Sequence, residues 1–223
     1  MYPYNLQNQL VSIFPIFGKS IKKVVFGGLS KNDIFLASIS DEEIKNQSLF
    51  NKKLSQKMRQ PTTAILSGYL ENRERFFRVL GCEQMVSEKR FFHLGLDISL
   101  PENTEIFSPL EAEVVVSGYE DGSGNYGGRI VLRHEILGSV FYSLYGHLDP
   151  NSLLKVGTKI SAGSKIAELG GFDNNGGYFH HLHLQVLTEK GFEEGFVSKG
   201  YCTQAQLVDI KNYCPDPTFL FRF

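Results

Sequence analysis

The chain has 223 residues, with 23 Lys and Arg against 24 Asp and Glu and a hydrophobic share of 42%. That length suffices for one large domain or a domain with an extension, and a charge balance this near zero speaks against nucleic acid or an anionic membrane as partner. The three cysteines are odd in number and lack a C-x-x-C spacing, which excludes a disulfide framework and a cysteine zinc knuckle and leaves reduced thiols, with Cys202 and Cys214 as the one pair able to meet.

Met1-Tyr-Pro-Tyr4 carries no basic lead, and the apolar stretch Leu10 to Phe17 is short, broken by Pro15 and followed by its lysines, so no secretory signal is read there. No apolar run reaches the roughly 18 residues that span a bilayer. A soluble, cytoplasmic product is expected, with the cell envelope reachable only by another export route. Ser40-Asp-Glu-Glu43 is a capping box in front of an amphipathic helix over Ile44 to Arg59, stopped by Pro61. A second helix is expected from about Ile65 to Leu80, with Glu71, Arg73, Glu74 and Arg75 as its polar part. These elements place a helical and extended segment at residues 1–80, packed on the main domain or capping it, and the main domain at 81–223.

From about residue 91 the pattern changes to short segments rich in β-branched and aromatic residues. Strands are predicted over Ala112 to Gly118, Arg129 to His134, Val140 to Tyr145 and His181 to Val186. Val156 to Ile160 and Ser164 to Gly170 form a glycine-punctuated repeat of short strands and tight turns. The fold class is therefore mainly β, an antiparallel sheet core with an N-terminal helical and extended segment.

Five of the six histidines fall in three blocks, His93-Leu-Gly-Leu-Asp97, Tyr145-Gly-His147-Leu148 and His180-His181-Leu-His183. Blocks of this composition can assemble a zinc site that keeps one position open for water, the mark of a catalytic centre. His93 and Asp97 share one face of an extended strand, but their Cα atoms would stand roughly 13 Å apart at about 3.3 Å per residue, too far to share an ion. The strand must bend, and Gly95, midway, is the residue expected to permit it. His181 and His183 lie about 6.6 Å apart on one strand face, with Leu182 and Leu184 turned into the core. Both enter one pocket; if His183 binds a metal, His181 can stand beside it or reach the substrate. His147 ends an apolar strand, where side chains open onto a loop cleft. His134 and His180 read as hydrogen-bonded structural residues, and the absence of H-E-x-x-H excludes the helix-borne zinc peptidase design.

The order His-x-Gly-x-Asp, Tyr-x-His-Leu, His-Leu-His-Leu-x-Val closely resembles the lysostaphin-like, or LytM-type, zinc metallopeptidases. The flanks are similar too: Pro101 to Pro109 after the first block, the turn at Gly124-Asn125 with the strand after it, and the repeat from Val156 to Gly170. The resemblance covers about residues 91–188. It implies a lysostaphin-like β fold, Zn²⁺ held by His93, Asp97 and His183, and His147 with His181 as the catalytic pair. It also implies short peptide substrates, often containing glycine, such as the cross-links or stems of peptidoglycan. Phe179-His180 replaces the common glycine-proline before H-x-H, which alters the cleft wall. The segments Gly68 to Arg75 and Tyr213 to Pro217 are similar to a less common branch in which the peptidase module is joined to an aminotransferase.

The expected reaction is hydrolysis of an amide bond by a metal-bound water, with one histidine carrying the proton and the other stabilising the oxyanion, and with Tyr145 as a candidate hydrogen-bond donor. The alternative from another class is a catalytically silent binding or activator module, whose mark is lost ligands; here all five positions are filled. A phosphoryl carrier has no use for Asp97 or a third imidazole. If an N-terminal segment reaches over to block the metal, Asn46 and Asn51 are the candidate residues, no more than candidates because both lie in the predicted helix.

Overall fold

Apolar residues at every second position, rich in valine, isoleucine and tyrosine, give the second half of the chain its long strands. The computed structural model describes residues 13–30, 33–101, 103–122, 125–175 and 178–221. Met1 to Tyr4, the start of the Leu10 to Phe17 stretch, and Gly124 of the predicted turn lie outside the described residues.

The main sheet has eight strands, in the order β1 (Lys23–Phe26), β2 (Thr63–Ser67), β4 (Gly95–Ser99), β11 (His181–Thr188), β8 (Ser139–Leu148), β7 (Gly127–Ile136), β6 (Ala112–Glu120) and β9 (Lys159–Ile160). Among the described residues only β1 and β2 run parallel; every other pair in this sheet is antiparallel. Two small ladders complete it, β3 (Arg90–His93) with β12 (Tyr201–Thr203) and β5 (Glu105–Phe107) with β10 (Lys165–Glu168). The four predicted strands all form, each longer than its sequence reading. The two segments of the glycine repeat do not pair with each other: β9 adds to β6 and β10 to β5.

One face of the sheet packs on the larger core, where Leu96, Ile98, Tyr145, Leu182 and Leu184 meet. The predicted helix over Ile44 to Arg59 is two helices, α2 (Asp41–Lys45) and α3 (Gln47–Met58), because Asn46 between them leaves helical geometry and caps α3 through Leu49 N. The second prediction fails over its first half. Ile65 to Ser67 belong to β2, which is buried along its whole length, and a fully buried strand reads as a continuous apolar run without helical period. Only α4 (Glu74–Leu80) is helical there, with α1 (Ile34–Ala37) before it and α5 (Glu83–Ser87) after it. A short α6 (Glu189–Glu193) follows β11. The helices bury a second, phenylalanine-rich core against the loop at Tyr178 and Phe179.

All three cysteines are free. Among the described residues no helix is long and apolar enough to cross a membrane.

His134 is the structural residue its strand position implied. Its ring nitrogens lie 2.8 Å from Glu111 O and 2.7 Å from Ser143 Oγ, and the ring stacks on Phe141. Burial pulls its pKa down to about 4, against about 6.5 in an unfolded chain. Between those values the unfolded chain binds a proton that the folded chain refuses. The His134 contribution is therefore complete above about pH 6.5 and is lost as pH falls toward 4, on the order of 3 kcal/mol in all. Thermal melts at pH 7 and 4.5 should show a smaller acid-induced fall for His134→Gln than for the wild type; an equal fall rules out this assignment.

Candidate metal centre and catalytic cleft

Sheet register assembles the cluster. Asp97 on β4 stands opposite His183 on β11, Ser67 on β2 opposite Asp97, and Gly146 on β8 opposite His183. Residues in register project from one face, so Ser67, Asp97 and His183 form a row on the side away from Leu182 and Leu184.

His93 joins by a break in the chain. The bend lies at Leu94, not at Gly95: β3 ends at His93 and pairs with β12, whereas β4 begins at Gly95 and pairs with β11. Gly95 has another use. A Cβ there would stand 2.6 Å from Leu184 O and 2.7 Å from His183 Cε1, so only glycine lets the strand pass beneath the imidazole. Gly95→Ala should therefore displace the ring and weaken divalent-metal affinity by about 10-fold or more, which equilibrium dialysis would measure. Unchanged affinity would show that the ring has room to spare.

His93 Nε2 lies 2.9 Å from His183 Nδ1, and Asp97 Oδ1 lies 3.2 Å from the first and 3.1 Å from the second. The outer hydrogen bonds fix both tautomers. His183 Nε2 is 3.0 Å from Gln185 Oε1, and the Gln185 amide nitrogen itself faces three acceptors, Phe196 O, Lys199 O and Cys214 Sγ. The proton is thus on His183 Nε2 and the lone pair on Nδ1. In the same way His93 Nδ1 faces Gly68 O at 3.4 Å, leaving the Nε2 lone pair directed inward. Two lone pairs and a carboxylate oxygen then converge with no proton among them, an arrangement that repels unless a cation is shared. Sides near 3 Å match three ligands about 2.0–2.1 Å from a tetrahedral ion. These three residues form the group able to hold a metal among the described residues.

The electrostatics agree. Burial, then the Arg73 guanidinium, pulls His93 down to about 3. Burial opposes ionisation of Asp97, but Arg73 and the surrounding imidazoles outweigh it and hold the carboxyl well below the usual range. His93 is thus a neutral imidazole and Asp97 a carboxylate at neutral pH, the forms that bind metal.

His147 and His181 flank this triangle. Their Nδ1 atoms lie 2.7 Å from Asn175 O and 2.7 Å from Phe179 O, so each donates Nδ1–H to a carbonyl and keeps Nε2 as a base. The ring centroids are 4.2 Å apart. Burial, then the neighbouring imidazoles, holds His147 well below its ordinary value, and burial takes His181 to about 4. His147 also has φ of 64°, a conformation rare outside glycine and commonly kept at working sites. Its backbone is held there by Tyr126 O and Gly170 N at 2.7 and 2.9 Å.

A cleft of about 320 Å³ opens onto the site, lined by Tyr126, His147, Tyr178, His183 and Tyr201 among others. A larger hollow of about 710 Å³ beside Tyr69, Glu74 and Arg78 contains none of the histidines. Tyr145 is absent from the cleft: opposite Leu184 in the ladder, it faces the apolar core. The N-terminal asparagines do not reach the triangle either. Asn46 caps α3, and Asn51 Oδ1 accepts from His180 N at 3.1 Å. The loop that replaces glycine-proline does shape the wall, with Phe179 stacked on His181 at 4.2 Å and backed by Phe50 of α3 at 5.0 Å.

Sequence reasoning missed Gln185, Arg73 and Asn175. Gln185 was within reach, because strand alternation carries His181, His183 and Gln185 onto one face. Nothing in the local sequence distinguishes Arg73 from its half-buried neighbours.

A family model described as Peptidase family M23 matches residues 91–193. Among solved structures, a zinc-containing peptidase from Vibrio cholerae is 30% identical over 44% of this chain and 28% of its own, with a TM-score of 0.38. LytU is 30% identical over 44% of this chain and 62% of its own, with a TM-score of 0.36. The antimicrobial peptidase lysostaphin from Staphylococcus simulans is 26% identical over 43% of this chain and 37% of its own, with a TM-score of 0.36. The chain thus spans less than two thirds of each of these proteins.

Proposed function

We propose that the protein is a zinc-dependent endopeptidase cleaving amide bonds in short peptides, a reading supported by the match of residues 91–193 to the model of Peptidase family M23. The substrates proposed are glycine-containing or peptidoglycan-derived peptides. The observation that carries the reading is the triangle of His93 Nε2, Asp97 Oδ1 and His183 Nδ1, with two further imidazole bases beside it. We assign the metal to His93, Asp97 and His183, and proton transfer to His147 and His181. Residues 81–223 are read as the peptidase module and residues 1–80 as a segment built onto it, since β1 and β2 extend the same sheet.

Zinc in this position supplies Lewis acidity, polarising the scissile carbonyl and making water a better nucleophile at neutral pH. The chain's own residues do the rest. His147 and His181 present unprotonated Nε2 atoms, held in that tautomer by the carbonyls of Asn175 and Phe179. Rings this close cannot both carry a charge, so the pair takes up one proton, from the attacking water, and returns it to the departing amine. The neutral partner keeps the imidazolium in place, and the surrounding tyrosines narrow the cleft and exclude bulk water.

Metal analysis of the purified protein should return close to one zinc per chain. Incubation with muropeptides or oligoglycine should yield new amino termini, and a chelator should abolish them, with recovery on adding zinc. Stoichiometric zinc without cleavage of any peptide class would favour the silent binding module instead.

A further inference from the structure

Arg73 lies in the run Glu71 to Arg75, the polar part of the helix expected there, yet it is only 1% exposed. Its Nη1 donates to Asp97 Oδ2 and, at 3.1 Å, to Tyr201 Oη; its Nη2 donates to Ser67 Oγ at 3.0 Å and faces Glu71 Oε2 at 3.4 Å. The backbone is tied to the same centre. Arg73 N donates to Phe91 O at 2.9 Å, and His93 N to Glu71 O at 3.1 Å, so the guanidinium is carried on a segment bonded to the strand that delivers His93. Ser67 in turn sits opposite Asp97 in the sheet.

The two oxygens of Asp97 are therefore divided. Oδ2 belongs to Arg73, and Oδ1 alone faces His93 and His183. A short carboxylate with both oxygens free can turn about its terminal bond and offer both to one cation, filling the position that a catalytic centre keeps for water. A charge-assisted bond to a planar guanidinium, itself fixed by two hydroxyls, removes that freedom.

We propose that Arg73 is a positioning residue for the metal site: by holding Asp97 Oδ2 it confines the carboxylate to one-oxygen binding and orients Oδ1 toward the two imidazoles. This rests on the zinc reading above. It also makes a residue lying before the family-matched stretch part of the working centre, so residues 91–193 by themselves do not complete the site.

The test uses the full chain with Arg73→Lys, Arg73→Met and the double variant Ser67→Ala/Tyr201→Phe, which loosens the guanidinium without stranding a buried charge. Zinc affinity is read by competition with a chromophoric chelator, folding by circular dichroism, and coordination by the visible spectrum of the cobalt-loaded protein. Affinity should fall by about 10- to 100-fold in R73M and less in the other two. The cobalt bands of R73K and of the double variant should lose intensity as the second carboxylate oxygen enters the coordination shell. Variants that fold, bind zinc as tightly as the wild type and keep its cobalt spectrum overturn the proposal while leaving the zinc reading intact. If R73M does not fold, the same two readouts on R73K and the double variant decide. A wild type that binds no zinc removes both readings.

Discussion

His183→Ala is expected to leave a folded protein that no longer retains zinc and has lost hydrolysis. Asp97 keeps its pairing with Arg73 when the imidazole is removed, and Leu182 and Leu184 still pack into the core on the other face of β11. The fold thus has no reason to fail. The donor set falls from three to two, however, and Asp97 Oδ1 with His93 Nε2 cannot hold an ion firmly against solvent. Lewis-acid polarisation is worth several kcal/mol, and about 5.5 kcal/mol corresponds to a 10⁴-fold rate loss. Atomic emission of the dialysed variant should show far less than one zinc per chain, with an unchanged far-ultraviolet spectrum. Full retention of the metal would remove His183 from the ligand set and with it the proposed triangle.

The histidine and aspartate positions were readable because strand alternation is a local rule: His181 and His183 share a face whatever the sheet around them does, and Leu182 and Leu184 confirm which face is the core. The distance from His93 to Asp97 was readable only as a problem, too long for a straight strand. Its solution needed tertiary information, because the break at Leu94 arises where the chain passes from pairing with β12 to pairing with β11. Gly95 was noticed for the wrong reason; its missing side chain matters for the approach of His183 and not for a bend. The helix expected over Ile65 to Leu80 failed on the same ground, since only the finished sheet shows that Ile65 to Ser67 are buried on both faces. Arg73 was the hardest to foresee. A buried arginine and an exposed one have the same letter, and its four partners come from positions 67, 71, 97 and 201.

His181→Ala separates the two halves of the site. His181 Nε2 lies 3.6 Å from Asp97 Oδ1, outside the triangle of ligand atoms, and its Nδ1–H is committed to Phe179 O. Removing it leaves all three donors in place, so zinc should remain near one per chain while turnover falls by about 10² to 10⁴-fold, the range of a positioned acid–base group. His147→Ala should do the same. The two rings stand 4.2 Å apart; if they share one proton, as proposed, removing both should cost little more than removing either, as for groups that act as a unit. Losses that multiply in the double variant would mean two separate proton paths. Loss of zinc from His181→Ala as complete as from His183→Ala would mean that the imidazole belongs to the metal, and the division between ligands and bases would have to be redrawn.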